Sequence, residues 1–190
     1  MEIVLATSNP NKLREIEEIC NPNNIKFILP SKDFSPVENG KDFEENSLIK
    51  AKEAYRVSGK MCLADDSGLC VEALNGAPGI YSARFANTQD DKISKLLNEL
   101  KEEKNRNAHF VCCMTLLDKN GNILHVSNGI CEGKIVSERR GINGFGYDPV
   151  FLVNGYNLTM AELSSDEKNR ISHRAKALDD MLKFLENYNE

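Results

Sequence analysis

The chain has no run of apolar residues approaching the ~20 needed to span a bilayer, which excludes a helical membrane anchor. It has no CxxC spacing. Its six cysteines, Cys20, Cys62, Cys70, Cys112, Cys113 and Cys131, lie mostly in apolar stretches, so buried reduced thiols are expected rather than a disulfide framework. Adjacent Cys112 and Cys113 would point to opposite faces of a strand, which argues against a metal pair. Positive charge is not in excess: the net charge of −5 excludes general affinity for nucleic acid or an anionic membrane. Any phosphate site must then be a local cluster helped by a cation. GxxxxGK[ST] is absent too, which excludes a P-loop kinase or ATPase. The opening Met1-Glu2-Ile3-Val4-Leu5-Ala6 turns polar too soon for a signal sequence, and a cytoplasmic location is expected.

What is present is an ordinary globular composition, 41% apolar and 28% charged, long enough for one domain over residues 1–190 with a sizeable core. Glu2 to Thr7 reads as a buried strand. A helix follows in which Leu13, Ile16, Ile19 and Cys20 share a face, capped by Ser8 or Asn9 with Pro10 in its first turn. A short strand at Ile25 to Leu29, a helix at Asp42 to Ser58 ended by Gly59, and a strand at Lys60 to Asp65 complete a β-α-β-α-β alternation. That order predicts a mainly parallel sheet flanked by helices.

The pattern then changes. After a helix at Gln89 to Leu100, strands at His109 to Leu117 and Ile123 to Cys131 flank Asn120-Gly121, a hairpin signal. A glycine-rich loop at Gly141 to Pro149 and a short strand at Val150 to Val153 precede a last helix from about Arg170 to Asn187. Its apolar stripe is Ile171, Ala175, Leu178, Leu182 and Leu185. The expected fold is α/β: a twisted mixed sheet flanked by helices, with an antiparallel extension and two lobes around a central cleft.

Five segments hold residues suited to chemistry. Thr7-Ser8-Asn9-Pro10-Asn11-Lys12 joins a strand to a helix start, where free N–H groups and the helix dipole favour phosphate; it also reads as a plain capped helix with a solvated lysine. Ala64-Asp65-Asp66-Ser67-Gly68, placed at the end of the third strand, offers carboxylates for a hard cation and an activated water, or else a polar turn. Only one of the two aspartates is expected to face the cleft, because strand neighbours point opposite ways. Glu38, Glu44 and Glu45 are further carboxylates near the second helix, and Lys50 and Lys52 lie on it. In Gly141-Ile142-Asn143-Gly144-Phe145-Gly146-Tyr147-Asp148-Pro149, Phe145 can stack on a base and Asp148 can accept from its edge, although a tight turn also explains the glycines. Around the last helix start, Lys168, His173 and Arg174 place cations where the dipole disfavours them unless an anion is near.

Five stretches together, TSNPNK, ADDSGL, GAPGIYSARFA, GFGYDPVF and EKNRISHRAKAL, occur in an order and at separations that resemble the inosine triphosphate pyrophosphatase (XTP/dITP diphosphatase) family over nearly the whole chain. The resemblance implies a homodimer that hydrolyses ITP, dITP or XTP to monophosphate and pyrophosphate with Mg²⁺, Mn²⁺ being a possible substitute, so cleansing the nucleotide pool. It implies Asp66 as catalytic carboxylate and metal ligand, with Glu38 as its metal-binding companion. Thr7, Ser8, Asn9, Pro10, Asn11, Lys12, Ser67 and Lys168 are implied as triphosphate and sugar-phosphate contacts, and Lys50 as a further phosphate contact. Phe145, Gly146, Tyr147 and Asp148, with His173 and Arg174, are implied as the base pocket, where Arg174 would donate to a 6-oxo group. Two other readings stand beside this one: a Maf-like nucleotide pyrophosphatase of different base preference, and a non-catalytic nucleotide-binding regulator.

Overall fold

The computed structural model describes residues 1–20 and 25–188. Strand β1 (Glu2–Leu5) leads into helix α1 (Pro10–Cys20), then β2 (Lys26–Ile28), α2 (Phe43–Ser58) and β3 (Cys62–Val71). Helix α3 (Gln89–Glu99), strands β4 (Asn107–Leu117), β5 (Ile123–Ile135) and β6 (Phe151–Val153), and helices α4 (Ser165–Ile171) and α5 (His173–Asn187) follow. The strands form one sheet in the order β2-β1-β3-β4-β5-β6. β1 runs parallel to both β2 and β3, as the alternating start of the chain predicts, and β5 with β6 is antiparallel. The mixed α/β fold is therefore as expected. The β4–β5 turn has Gly121 at φ 82°, and Asp118 Oδ1 accepts from the N–H groups of Asn120 and Asn122.

The chain divides into two compact units, one of residues 1–66, 112–129 and 173–190, the other of residues 67–111 and 130–172. In the first, period-two alternation along the strands sorts side chains onto two faces. Ile3, Leu5, Met61, Leu63, Cys112, Met114 and Leu116 pack with α1 and α5 through Ile16, Cys20, Leu178 and Met181. Val4, Ala6, Cys62 and Ala64 pack with Ala51 and Ala54 of α2. In the second unit, Leu69, Val71, Phe110, Phe151 and Leu163 close with Ile93 and Leu96 of α3 into a separate core. All six cysteines are free, five of them buried, and burial pushes the Cys20 thiol up to about 12.

Three expectations are corrected. β3 does not stop at Asp65: it continues through Asp66-Ser67-Gly68 to Val71, so both aspartates lie within a strand rather than in a turn at its end. The charges that suggested an end are neutralised by buried cations, described below. β5 extends beyond Cys131 to Ile135, because buried Cys131, Gly133 and Ile135 continue to alternate with exposed Glu132 and Lys134. The last helical stretch is two helices. Ser172 interrupts it with extended backbone (φ −65°, ψ 160°), a conformation typical of N-cap residues, and α4 begins at a Ser164/Glu167 capping box.

α5 crosses β5 at Gly129, where an added Cβ would stand 2.0 Å from the His173 carbonyl oxygen and 2.6 Å from the Ala177 nitrogen. Backbone cannot swing aside as a side chain can. Gly129→Ala is therefore expected to destabilise the protein by about 1–3 kcal/mol or more. Urea unfolding measures this, and an unchanged midpoint would contradict the close packing.

Candidate active site

The strand alternation that builds the first core also separates Asp65 from Asp66. Asp65, on the α1/α5 face, is 2% exposed, and its Oδ2 lies 2.9 Å from Lys12 Nζ of α1 and 3.3 Å from Arg174 Nη2 of α5. Arg174, itself 2% exposed, places Nη1 on Glu15 Oε2 of α1. Two cations and two carboxylates thus form an electrically balanced group, buried except for the half-buried Lys12. Burial alone would raise the Asp65 pKa, but Lys12, Arg174 and Lys50 outweigh it and hold the carboxyl well below the usual range.

Asp66 points to the α2 face. Its Oδ1 accepts from Lys50 Nζ at 2.6 Å, and the same ammonium lies 3.8 Å from Glu38 Oε2. Burial opposes the Lys50 charge, but Asp65, Asp66 and Glu38 together raise its pKa. For Asp66 the balance falls the other way: burial raises its pKa and Lys50 only partly offsets it. Adjacent carboxyls thus have opposite shifts, a pattern that separates a permanent anion from a group able to take a proton. The remaining oxygen, Asp66 Oδ2, is buried and has no hydrogen-bond partner among the described residues.

That orphaned oxygen is the feature that fits a cation. Among the described residues no three or more His, Cys, Asp or Glu side chains form a metal cage. Two hard carboxylates, Asp66 and Glu38, nevertheless share one lysine, and their oxygens are of the type that a hard divalent cation takes. Such an ion uses one or two carboxylates and completes its shell with water and phosphate oxygens.

The TSNPNK segment folds as a capped helix start. Asn9 N–H donates to Thr7 Oγ1 at 3.1 Å, and Asn9 Oδ1 caps the Asn11 N–H at 3.0 Å. Ser8 and Pro10 are exposed, and Asn11 is half-buried. This turn sets the start of α1, and α1 carries both Lys12 and Glu15.

In the second unit, Ser67 continues β3 and is half-buried. Asp148 Oδ2 accepts from Lys168 Nζ at 2.6 Å and from the Phe145 N–H at 2.9 Å. Lys168 Nζ also lies 4.9 Å from the centre of the Phe145 ring. Gly144 (φ 71°) closes the loop over this pair; a Cβ there would meet Asp148 Oδ2 at 2.0 Å. The Gly146 carbonyl accepts from Gln89, and buried Tyr147 donates its hydroxyl to the Ser82 carbonyl at 3.0 Å. Tyr147 therefore anchors the loop from below.

The expected cations occupy distinct settings. Lys168 lies inside α4, not at a helix start. His173 and Arg174 do open α5, and His173 is 5% exposed. The anion that a cation at a helix start calls for is supplied to Arg174 by Glu15 and Asp65. Sequence reasoning missed Glu15 and left Asp65 without a task. The available signal was the i,i+3 spacing of Lys12 and Glu15, which puts both on one side of α1.

Known proteins resemble this chain over nearly its whole length. The family model described as the Ham1 family matches residues 3–184. A dITP/XTP pyrophosphatase of Treponema denticola is 45% identical over 195 residues, covering 97% of this chain and 98% of that protein. The structure of a HAM1 protein from Coxiella burnetii superposes with a TM-score of 0.89 at 42% identity, covering 99% of this chain and 100% of that one. The Staphylococcus aureus Ham1 protein superposes with a TM-score of 0.87 at 41% identity, covering 98% of each chain. With a family match across almost its entire length and relatives of this similarity, the chain belongs to the Ham1 family.

Proposed function

We propose that this protein hydrolyses non-canonical purine nucleoside triphosphates such as dITP, ITP and XTP to the monophosphate and pyrophosphate. Family membership and the dITP/XTP pyrophosphatase named above support the reaction class. The observation that carries the assignment to particular residues is the buried Asp66 Oδ2, without a hydrogen-bond partner among the described residues, on a carboxylate whose Oδ1 shares Lys50 with Glu38.

In this reading Asp66 and Glu38 hold a divalent cation, Mg²⁺ by preference. Such an ion, when bound, neutralises charge on the triphosphate oxygens. Asp66 accepts a proton from the water that attacks the α-phosphorus. As the new P–O bond forms, the bond to the bridging oxygen breaks and pyrophosphate leaves. Lys50 keeps Asp66 oriented and places positive charge near the transferring group, with Lys12, Ser67 and the Thr7 to Asn11 turn as further phosphate contacts.

Phe145 to Asp148, with Lys168 and His173, are assigned to the base and sugar. Arg174 is assigned instead to holding Lys12 and Asp65 in place, since its guanidinium is engaged by Glu15 and Asp65. Selection against adenine is assigned to Lys168 or His173 as donor to a 6-oxo acceptor, because a 6-amino group leaves such a donor unpaired at a cost of ~1–3 kcal/mol. Residues 1–190 act as one functional domain, and a cytoplasmic homodimer fits the family reading. No helix among the described residues is long and apolar enough to cross a membrane.

The purified protein with Mg²⁺ should release pyrophosphate, not orthophosphate, from ITP and XTP at least about tenfold faster than from ATP. Product analysis by ³¹P NMR reads this directly. Preference for a pyrimidine triphosphate would favour a Maf-like specificity, and tight binding without turnover would favour a regulator.

A further inference from the structure

We propose that Asn46 is a positioning residue that fixes the loop carrying Glu38 and so sets the affinity for the divalent cation. The proposal rests on the reading of Glu38 and Asp66 as the cation's carboxylates. Asn46 lies in the first turn of α2 and is 0% exposed. Its Oδ1 accepts the backbone N–H of Gly40 at 2.9 Å, two residues from Glu38. The loop packs so closely here that a Cβ on Gly40 would stand 2.7 Å from Asn46 Oδ1, 2.8 Å from Glu45 Cβ and 2.9 Å from the Asn46 nitrogen. Lys41 N–H donates to Glu45 Oε2 at 2.7 Å, and Glu45 N–H donates to Asp42 Oδ1 at 2.8 Å, so the segment is tied to the helix start at successive residues.

One helical turn later, Lys50 lies on the same side of α2 as Asn46 and faces the carboxylates of Glu38 and Asp66. A lysine is a flexible point charge, and at 3.8 Å it attracts Glu38 without fixing its direction. The backbone that carries Glu38 also sets its direction, and Asn46 is a buried side chain that holds that backbone. Packing alone does not account for an asparagine here. It is a poor helix former, and its Nδ2 is buried without a hydrogen-bond partner among the described residues. An alanine would fill part of the space and lose the anchor.

The test is a Mn²⁺ titration of the full-length protein, followed by electron paramagnetic resonance, in the presence of the α,β-methylene analogue of ITP. Asn46→Ala should weaken Mn²⁺ binding about tenfold, the loss typical when a group supporting a metal ligand is removed. Gly40→Ala, a loop substitution that changes no residue of α2, should produce the same shift by displacing the loop from Asn46. Both variants should need correspondingly more Mg²⁺ for half-maximal turnover and keep kcat at saturating Mg²⁺. Unchanged Mn²⁺ affinity in both, with only a lower Tm or kcat, would overturn the proposal and leave Asn46 a packing residue. Glu38→Gln separates the two claims. If it weakens Mn²⁺ binding while Asn46→Ala and Gly40→Ala do not, the positioning role alone is wrong. If it leaves Mn²⁺ affinity unmoved, the reading of Glu38 fails and the proposal falls with it.

Discussion

Asp66→Asn should lower kcat for ITP by on the order of 10³-fold or more while leaving the protein folded and able to bind nucleotide. The substitution removes one negative charge and hardly alters shape. The amide that replaces the carboxylate could still offer its carbonyl oxygen to Lys50, whose ammonium also has Glu38 nearby. What disappears is the capacity to take a proton and the anionic oxygen, Oδ2, that has no hydrogen-bond partner among the described residues. Each tenfold in rate corresponds to about 1.4 kcal/mol, so a loss of this size asks about 4 kcal/mol of a carboxylate that supplies both a base and a cation ligand. Steady-state kinetics with pyrophosphate detection, alongside circular dichroism and nucleotide titration, makes the measurement. Turnover near that of the wild type would remove Asp66 from the reaction.

The second large effect falls on stability. Asp65→Asn leaves Lys12 and Arg174 facing Glu15 alone, so a largely buried group of two cations and two anions becomes unbalanced. Removing one partner from a buried charge pair costs about 3–5 kcal/mol, because the charge left behind has lost both water and its counter-ion. The loss is expected in urea unfolding at neutral pH. Its pH dependence has a definite sign. A carboxyl whose folded pKa lies below its unfolded value of about 3.9 contributes stability above that pH and loses it as the pH falls toward the folded value. The wild type should therefore lose more stability than Asp65→Asn on acidification below about pH 4. Equal stability of the two proteins at pH 7 would show that the network does not hold the fold together.

Much of this architecture could be read from the sequence wherever periodicity was uninterrupted. The helical spacing of Leu13, Ile16, Ile19 and Cys20 and the β-α-β-α-β order gave the parallel half of the sheet. Asn120-Gly121 marked the hairpin. What sequence could not supply was the pairing of charges distant along the chain. Asp65 and Asp66 interrupt an apolar strand and read as its end. Their neutralisation depends on Lys12, Lys50 and Arg174, which lie on three different helices. The same gap hid Glu15, whose partner Arg174 is 159 residues away. Ser172 split the terminal helix for a local reason, but Ile171 and Ala175 keep helical spacing across it and mask the break. The roles of Asn46 and Gly40 depend on a side-chain-to-backbone bond, which leaves no periodic signature.

The proposed role of the two carboxylates flanking Lys50 is to hold a cation against the triphosphate. Its most direct test is a crystal structure of the wild-type protein with Mg²⁺ and the α,β-methylene analogue of ITP. The ion is expected to be held by Asp66, through Oδ2, and by Glu38, beside the triphosphate. A nucleotide seated with its ion on other residues, and Asp66 still bonded only to Lys50, would contradict it.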